Sequence, residues 1–565
     1  MFKKFFKKKK GRSYHYDISP DDIFLDSQNL PDFNVHQFEG RIEKPIGKKT
    51  LIFLGSIFLL IGIFFSFRVW GLQVKQGEEY LNLSEQNRLR HTLVFANRGN
   101  IYDKNDTPLV WNLPSESKYE FSQRKYIEDG GFANLLGYVK YPQKDKYGFY
   151  YEESFQPFNG LEAIYNDILS GQNGLRIIET DALQDIVSEN TVRHPENGEN
   201  IKLTIDADVQ NALFTSIKEI ADQVGFKGGG GVIMNIHNGD ILALTSYPEF
   251  DPNVMTDGSN KEQISNYLND PSNPFLNRVI SGLYTPGSIM KPYVAIGALN
   301  EGVIDQYTNI VSRGTLEVPN PYNPSQPSVF SDWKAHGPVD VRKAIAVSSN
   351  IYFYVVGGGF QDQEGLGISR LEEYYRKFGF GETVDGDFFD EQKGTIPNPE
   401  WKEKIFDGDP WRLGDTYFTA IGQYGVQVTP IQVVRAVSAI ANDGTLINPK
   451  LVESEETEVV SQLDEISLKN FKIVQEGMRQ SVLDGIARGL NASYVEIAGK
   501  TGTAELGVTK ERVNSWVVGF WPYQNPKYAF AIVMEQGLRT NLIGGVAVGR
   551  RVFDWLHVYK PEYLE

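Results

Sequence analysis

Residues 50–67, TLIFLGSIFLLIGIFFSF, run for eighteen positions without a charged side chain. A helix of that length spans the hydrocarbon core of a bilayer, and the run has no polar face of the kind that a surface helix of a soluble protein carries. Lys48, Arg68 and Trp70 flank it and are residue types typical of membrane interfaces. The sequence therefore predicts one transmembrane helix over 50–70. The alternatives are a buried core helix and a signal peptide, but no A-x-A cleavage site follows.

The segment before this helix is strongly basic at its start. The first twelve residues, MFKKFFKKKKGR, contain six lysines and one arginine. An excess of positive charge beside a membrane helix favours the cytoplasmic side. We therefore expect residues 1–49 to form a basic, disordered cytoplasmic tail. The remaining chain is then a body outside the cytoplasmic membrane, held by a single span.

Composition excludes several classes of function. The net charge of −16 argues against a nucleic-acid partner, which requires a basic face. The chain has no cysteine, so it contains no disulfide, no thiolate metal site and no cysteine nucleophile. None of its seven histidines has the spacing of a helical metal-binding pair. We predict no metal and no cofactor.

The external body divides into two regions by its pattern. Residues 71–200 are turn-rich, with two strands joined by a DKND turn within 96–110 and a helix within 158–174. Residues 201–565 mix helices and strands, which indicates an α+β domain. We expect a strand-rich pedestal followed by this larger domain.

The larger domain shows clear hairpin signals. A hairpin is predicted over 228–248, with its turn at 238–240. Further strands are expected in VEIAGKTGT near 500 and on both sides of 522–526, and patterned helices fill 340–440. The lysine-glycine run at 227–231 lacks the ending of a phosphate-binding loop and leads into a strand.

The segment YTPGSIMKPYVAIGALNEG places Ser288 three residues before Lys291. The apolar residues that follow recur at helical spacing, so Ser288 is expected at a helix N-terminus, where serine is a favoured cap. Gly302 is a suitable stop for that helix. An S-x-x-K pair alone is a weak signal for chemistry, and a structural cap is the simpler interpretation.

Two further motifs change that interpretation. Ser348 and Asn350 form an S-x-N motif, expected in a loop between a helix and a strand, and residues 500–503 read K-T-G-T at a strand end. S-x-x-K, S-x-N and K-T-G in this order are typical of penicillin-binding proteins and serine β-lactamases. The three together predict a serine nucleophile at Ser288.

The chemistry of acyl transfer requires these residue types. A serine hydroxyl needs a base, and Lys291 can serve if burial and the nearby Lys500 lower its pKa enough to leave it neutral. Ser348 could then relay a proton to the leaving amine. Asn350 could hold Lys291 and the substrate amide.

The K-T-G-T strand supplies the remaining contacts. The Thr501 and Thr503 hydroxyls suit a substrate carboxylate, and Gly502 allows a close approach of the backbone. The backbone N–H groups of Ser288 and Thr503 would form an oxyanion hole at the helix N-terminus.

Sequence outside these motifs resembles class B penicillin-binding proteins. NRGNIYDKND resembles the R-G-x-I-x-D-x-x-G segment of their pedestal, and GLEAIYNDILSGQNG resembles a second pedestal element. TPGSIMKPY, WRLGDTYFTAIGQYGVQVTPIQ and KTGTAE are more similar to the elongation enzyme, penicillin-binding protein 2, than to the septal division enzyme. The resemblance implies the penicillin-binding transpeptidase fold, an antiparallel sheet flanked by helices, after the pedestal.

The resemblance also implies a function and partners. These are D,D-transpeptidation of peptidoglycan stem peptides through a serine acyl-enzyme, inhibition by β-lactams, and association with a RodA-like SEDS glycosyltransferase and elongation scaffold proteins. Two departures matter. The insertion between PLVWNLPS and LLGYVKY is short where relatives carry a larger head, and the cysteine-containing zinc set of some elongation enzymes has no counterpart.

Several alternatives share the three motifs. A septal transpeptidase, a D,D-carboxypeptidase, a β-lactamase and a catalytically idle scaffold for a glycosyltransferase all remain open on the motifs alone. The pedestal segments argue against a carboxypeptidase, and the missing E-x-x-L-N element argues against a class A β-lactamase. Labelling by a fluorescent penicillin distinguishes an active serine enzyme from an idle scaffold.

Overall fold

A computed structural model describes residues 47–78, 89–115, 119–146, 150–180, 186–320, 323, 325–384, 386, 388–507 and 510–565. The chain separates into two units that divide between Leu89 and Arg90. The predicted cytoplasmic tail lies outside the described residues, apart from its last three positions. The proposed domain limits at 49, 70 and 200 stay predictions.

The first unit contains one long apolar helix. Helix α1 spans Lys48–Trp70 and continues as a π-helical turn over Gly71–Lys75. It has no polar face, and none of its residues is buried. Among the described residues, Lys48–Lys75 is the one helix that is long and apolar enough to cross a membrane. The predicted helix is therefore confirmed.

The pedestal consists mainly of short strands. Its two largest sheets have the strand orders β1-β9-β10 and β11-β2-β3-β4. The strands are β1 Leu89–Val94, β2 Ile101–Tyr102, β3 Pro108–Leu113, β4 Gln123–Tyr126, β5 Tyr138–Lys140, β6 Gln143–Lys144, β7 Tyr150–Glu152, β8 Gln156–Phe158, β9 Gly174–Thr180, β10 Ile186–Arg193 and β11 Ile201–Lys202. The helices are α2 Ala133–Leu136, α3 Gly160–Ile164 and α4 Asn166–Leu169.

Two pedestal predictions meet different outcomes. The two strands around the DKND turn are confirmed as β2 and β3, which pair antiparallel. The single helix expected within 158–174 is wrong in detail, because α3 and α4 are separate short helices divided at Tyr165, whose backbone leaves the helical region at φ −99°, ψ 23°.

The larger domain alternates helical and strand segments. Its helices are α5 Ala207–Val224, α6 Pro252–Asp257, α7 Lys261–Asn269, α8 Lys291–Asn300, α9 Val341–Val347, α10 Asn350–Gly358, α11 Gly367–Lys377, α12 Pro399–Ile405, α13 Leu413–Ala420, α14 Pro430–Ala441, α15 Leu468–Leu483 and α16 Gly545–Tyr559. Its strands are β12 Gly228–Asn235, β13 Ile241–Tyr247, β14 Ile310–Ser312, β15 Thr315–Val318, β16 Ser328–Ser331, β17 Gly337–Val339, β18 Thr445–Ile447, β19 Val459–Gln462, β20 Ala498–Leu506, β21 Arg512–Trp521 and β22 Tyr528–Leu538.

A five-stranded antiparallel sheet organises this domain. Its order is β13-β12-β22-β21-β20, which confirms the predicted hairpins β12–β13 and β21–β22. Alternate side chains of β22 enter different cores: Ile532 packs in the cluster shared with α5 and α16, whereas Val533 packs in the cluster that contains α8 and α14. This alternation is the pattern of a sheet covered by helices on both faces.

The pedestal and the larger domain share one hydrophobic core. Leu136 and Leu161 of the pedestal belong to the same buried cluster as Phe250 and the residues of α8. Hydrogen bonds also cross the boundary. Gln210 on α5 donates to the Gly131 carbonyl at 2.6 Å, and the Glu249 carboxylate accepts from the Gly131 and Ala133 amides at 2.6 and 2.9 Å. The two domains within Arg90–Glu565 are therefore packed as one body.

Candidate active site

Ser288 lies in a short 3₁₀ turn, Gly287–Met290, that leads directly into α8. Gly287 has φ +60°, a conformation that favours glycine, and its amide donates to the Gly422 carbonyl at 2.9 Å. The Ser288 side chain caps neither helix, so the predicted serine cap is wrong. Within the described part of the chain, no residue forms a hydrogen bond with the Ser288 hydroxyl, which is half-buried. The hydroxyl is thus available for reaction.

Lys291 is the first residue of α8 and is fully buried. Its Nζ donates to the Ser348 carbonyl at 2.8 Å, to Ser348 Oγ at 3.3 Å and to Asn350 Oδ1 at 2.7 Å. Burial lowers the pKa of Lys291 to about 7, although the negative charge of Asp332 acts in the opposite direction. A large fraction of this amine is therefore neutral near pH 7.

Ser348 lies between two helices, at the end of α9 and just before α10. The helix–strand loop that we predicted for S-x-N is therefore wrong, since α10 follows. Ser348 adopts φ +57°, ψ 43°, a left-handed conformation that is uncommon for a residue with a side chain. This conformation lets the residue end α9, because its amide bonds back to the Ile345 carbonyl, while its side chain faces the lysines.

Lys500 approaches Ser348 from the sheet. It lies within β20, rather than at a strand end as predicted, and is fully buried. Its Nζ donates to Ser348 Oγ at 2.8 Å and to the Thr501 carbonyl at 2.8 Å. Burial, and then the charge of Lys291, hold the pKa of Lys500 well below its ordinary value. Burial is the largest cause of the lowered pKa of each lysine, and the repulsion between the two amines, which is mutual, acts in the same direction.

The other motif residues of β20 alternate between the two sides of the strand. Thr503 is exposed and Thr501 is half-buried, whereas Gly502 faces the protein interior. A Cβ on Gly502 would lie 2.6 Å from the Pro286 carbonyl oxygen, so glycine is needed for the strand to pack against the Ser288 turn. Because β20 ends the sheet, its free edge can pair with an extended ligand.

The structure therefore joins the three motifs around one hydroxyl. Ser348 Oγ accepts hydrogen bonds from both Lys291 and Lys500, and Asn350 accepts from Lys291. The Phe353 ring lies 5.6 Å from Lys291 Nζ and helps to exclude water from the amine. A chain of groups that accept and release protons beside an accessible serine suits acyl transfer.

One group near the motifs was missed by the sequence prediction. The Asp332 carboxylate has a fully buried side chain and accepts a hydrogen bond from Ser349 within S-x-N at 2.7 Å. An aspartate after a strand is an ordinary turn residue, so its local sequence gave no signal. In the described ranges, no cluster of three or more His, Cys, Asp and Glu side chains is placed to hold a metal ion.

Comparisons with known proteins match this arrangement. The penicillin-binding protein transpeptidase domain matches residues 229–553, which include all three motifs. The chain belongs to the penicillin-binding protein transpeptidase family. The penicillin-binding protein dimerisation domain matches residues 117–203, within the pedestal. The predicted fold class is therefore confirmed.

Individual relatives show which type of penicillin-binding protein the chain resembles. Peptidoglycan D,D-transpeptidase MrdA of Acinetobacter baumannii is 27% identical over 91% of this chain and 89% of its own length. The structure also resembles penicillin-binding protein 2 of Helicobacter pylori, solved in complex with MreC, with a TM-score of 0.69, 26% identity, and coverage of 84% of this chain and 99% of that one. The predicted class B, penicillin-binding protein 2 type is thus confirmed.

A third relative comes from an assembly. The chain matches a protein from a structure described as the structural coordination of polymerization and crosslinking by a peptidoglycan synthase complex. The TM-score is 0.68 at 25% identity, over 91% of this chain and 98% of that chain. Similarity of this penicillin-binding protein to its relatives therefore extends well beyond the catalytic domain.

Proposed function

We propose that this penicillin-binding protein is an elongation-type peptidoglycan D,D-transpeptidase that acts through a Ser288 acyl-enzyme. The observation that carries the proposal is the convergence of the Lys291 and Lys500 amines on Ser348 Oγ, at 3.3 and 2.8 Å, beside the Ser288 turn. The substrate is a stem peptide ending in D-Ala-D-Ala. The names and folds of the relatives support this assignment.

Acylation begins at the half-buried serine. Neutral Lys291 takes the proton of Ser288 Oγ, and the oxygen attacks the penultimate D-Ala carbonyl. The backbone N–H groups of Ser288 and Thr503 bind the oxygen of the tetrahedral intermediate, while Thr501 and Thr503 bind the terminal carboxylate. The C–N bond then breaks, and the leaving D-Ala nitrogen takes a proton through Ser348, which is itself bonded to Lys500. The products are a serine ester and free D-Ala.

Cross-linking is the reverse of the acylation reaction, with an amine of a second stem peptide in place of D-Ala. An amino group of a neighbouring stem peptide attacks the ester carbonyl, and its surplus proton passes to the Lys291–Ser348 pair. Ester cleavage returns that proton to Ser288 and leaves a new amide bond between two stems. A β-lactam enters as a mimic of the first substrate, and its ring opens on Ser288.

Labelling with a fluorescent penicillin tests the nucleophile. We expect the full chain in detergent to form a covalent adduct and the Ser288→Ala variant to form none. Ser259→Ala, a change at an exposed hydroxyl remote from the motifs, serves as a matched control and should label as the wild type does. An unlabelled wild type would refute the enzyme, and a labelled Ser288→Ala variant would show that another serine reacts.

The product distinguishes a transpeptidase from a D,D-carboxypeptidase. Both release D-Ala from a pentapeptide donor, but only the transpeptidase joins the acyl group to an added amine acceptor. We expect cross-linked dimer that increases with acceptor concentration and disappears in Ser288→Ala. Exclusive hydrolysis at saturating acceptor, in the presence of the membrane partner, would favour the carboxypeptidase.

We also assign the chain a place in the cytoplasmic membrane. Helix α1 is the one span among the described residues, with the N-terminus inside and the catalytic domain outside, in keeping with the basic N-terminal residues. The partners proposed are a RodA-like SEDS glycosyltransferase and elongation scaffold proteins, by analogy with the relatives in complexes with MreC and in a peptidoglycan synthase complex. Co-purification of a RodA-like protein with the full chain, and its loss when α1 is replaced by an unrelated span, tests the membrane contact.

A further inference from the structure

Asp332 is a buried carboxylate that contacts the S-x-N motif. It follows β16, and its side chain has no exposed surface. Oδ2 accepts hydrogen bonds from Ser312 Oγ at 3.1 Å, from Ser349 Oγ at 2.7 Å and from the Ile351 amide at 3.2 Å. Oδ1 accepts from the Trp333 amide at 2.9 Å and lies 3.7 Å from His336 Nε2.

Two of these hydrogen bonds lie on either side of Asn350, in the turn that joins α9 to α10. Ser349 follows Ser348 and precedes Asn350, and Ile351 comes directly after Asn350. One carboxylate oxygen therefore binds the chain on both sides of Asn350, the residue that accepts a hydrogen bond from Lys291 at 2.7 Å. The same oxygen anchors the N-cap of α10, because Ser349 caps that helix by accepting from the Tyr352 amide.

The turn needs such an anchor. Ser348 has a left-handed backbone, a conformation that is strained for a residue with a side chain and persists where its surroundings fix it. The bonds that fix it come from Lys291 on one side and, through Ser349, from Asp332 on the other. Loss of the second anchor leaves Ser348 Oγ free to move away from the two amines.

The charge of Asp332 acts on Lys291. It also acts on two other titratable groups, Tyr354 on α10 and His336 on its own loop. The Asp332 charge raises the pKa of Lys291, against the effect of burial. Burial lowers the pKa of His336, so this imidazole is neutral near pH 7 and does not cancel the carboxylate charge.

We propose that Asp332 is a positioning residue that holds Ser348 and Asn350 against Lys291 through Ser349 and the Ile351 amide. Asp332 does not touch the substrate, and it acts through the residues that do. This inference rests on the proposed acyl-enzyme function, since its readout is the acylation of Ser288.

The test separates binding from acylation with a fluorescent penicillin. The full chain in detergent is compared with Ser349→Ala, Asp332→Asn and the double variant, over pH 6 to 9. For Ser349→Ala we expect the acylation rate constant to fall about 10- to 100-fold, with the dissociation constant of the penicillin within about 2-fold and the pH midpoint unchanged. For Asp332→Asn we expect a similar fall in the acylation rate constant. The acid midpoint of its pH–rate profile should also lie at lower pH, because the variant removes the charge that raises the Lys291 pKa.

The double variant and a control complete the test. If Ser349 and Asp332 act through one bond, the double variant acylates no more slowly than Asp332→Asn alone. Ser216→Ala removes another buried serine hydroxyl, bonded to the Ala212 carbonyl on α5, and should acylate at the wild-type rate.

Different results would refute the proposed function and the proposed role of Asp332. A wild-type chain without a Ser288-dependent adduct would refute the function itself. A wild type that labels, together with Ser349→Ala and Asp332→Asn variants that acylate at the wild-type rate and pH midpoint, would overturn the role of Asp332 alone. A fall in the amount of adduct at full rate, in parallel with a lower unfolding temperature, would also overturn it by showing a purely structural residue.

Discussion

The pedestal and the active site each bury a cluster of charged groups, but they compensate the charges differently. In the pedestal, Glu162 binds Arg98 at 2.6 Å and Arg124 at 2.7 Å, and all three side chains have no exposed surface. Burial raises the pKa of Glu162, yet the two guanidinium groups outweigh it and the net pKa is lowered. In the active site, Lys291 and Lys500 are equally buried but share a neutral acceptor, and the pKa of each is lowered.

The contrast separates a structural use of buried charge from a chemical one. A carboxylate between two guanidiniums stays ionised at any pH near neutral and joins α3 to β4 and to the loop before β2. Burial and mutual repulsion both disfavour the charged forms of two amines that meet at a serine hydroxyl, and a neutral amine can take a proton from a nucleophile. Burial thus accompanies a retained charge in the pedestal and lowered amine pKa values in the active site, because Glu162 has two partners of opposite charge whereas the two lysines meet at a neutral hydroxyl.

Replacement of the base gives the largest expected effect. We expect Lys291→Met to lower the acylation rate constant about 10²- to 10⁴-fold, the usual range for loss of a general base. The free energy of unfolding should change by less than about 2 kcal/mol, because the lost hydrogen bonds are offset by removal of a buried amine. Stopped-flow acylation and denaturant unfolding measure the two quantities. A large loss of stability would show that the lysine is structural, like Glu162.

The pedestal cluster should respond in the opposite way. Glu162→Ala leaves two guanidinium groups buried without their carboxylate, which costs about 3–5 kcal/mol of stability. The change is measured by denaturant unfolding, and we expect the folded fraction to acylate within about 2-fold of the wild-type rate. A normal unfolding free energy would mean that the two buried arginines tolerate the loss of their partner.

The pH dependence of acylation tests whether neutral Lys291 is the base. Because the proposed base is the neutral Lys291 amine, whose pKa is lowered to about 7, acylation should fall about tenfold per pH unit below 7 and reach a plateau above 8. Between about pH 7 and pH 10.5 the unfolded chain binds more protons at Lys291 than the folded one, so this residue makes stability rise with pH. Lys291→Met should remove that slope. A flat acylation profile from pH 5 to 9 would contradict the assigned base.

The smallest effect on the free energy of unfolding is expected at an exposed ion pair of the pedestal. Lys125 and Glu128 lie 3.0 Å apart, but the Glu128 side chain is 80% exposed. Glu128→Gln should change the free energy of unfolding by less than about 1 kcal/mol, since water and salt screen such pairs. This variant is the matched control for Glu162→Ala, and a cost as large as that of the buried cluster would undermine the role assigned to burial.

Local patterns were sufficient for two hairpins of the sheet and for the motif residues. The β12–β13 hairpin follows from the turn signal at Asn238–Gly239–Asp240, and the S-x-x-K and K-T-G motifs contribute the two lysines that lie within 3.3 Å of Ser348 Oγ. Such features are encoded within a few residues of the chain.

The errors arose where distant contacts determine local structure. Ser288 does not cap a helix, because Gly287 binds Gly422 and turns the segment into a 3₁₀ turn. The role of Asp332 depends on contacts with Ser312, twenty residues before it, and Ser349, seventeen residues after it. No window of sequence around these residues contains their partners.

The core shared by the pedestal and the catalytic domain determines how this protein can be cut. Limited proteolysis of the full chain should release Arg90–Glu565 as one resistant fragment rather than two domains. For the same reason, a gene shortened to begin at residue 201 would expose the apolar surface that Leu136 and Leu161 cover beside Phe250. The pedestal is thus a part of the enzyme that must be inherited, expressed and purified together with it.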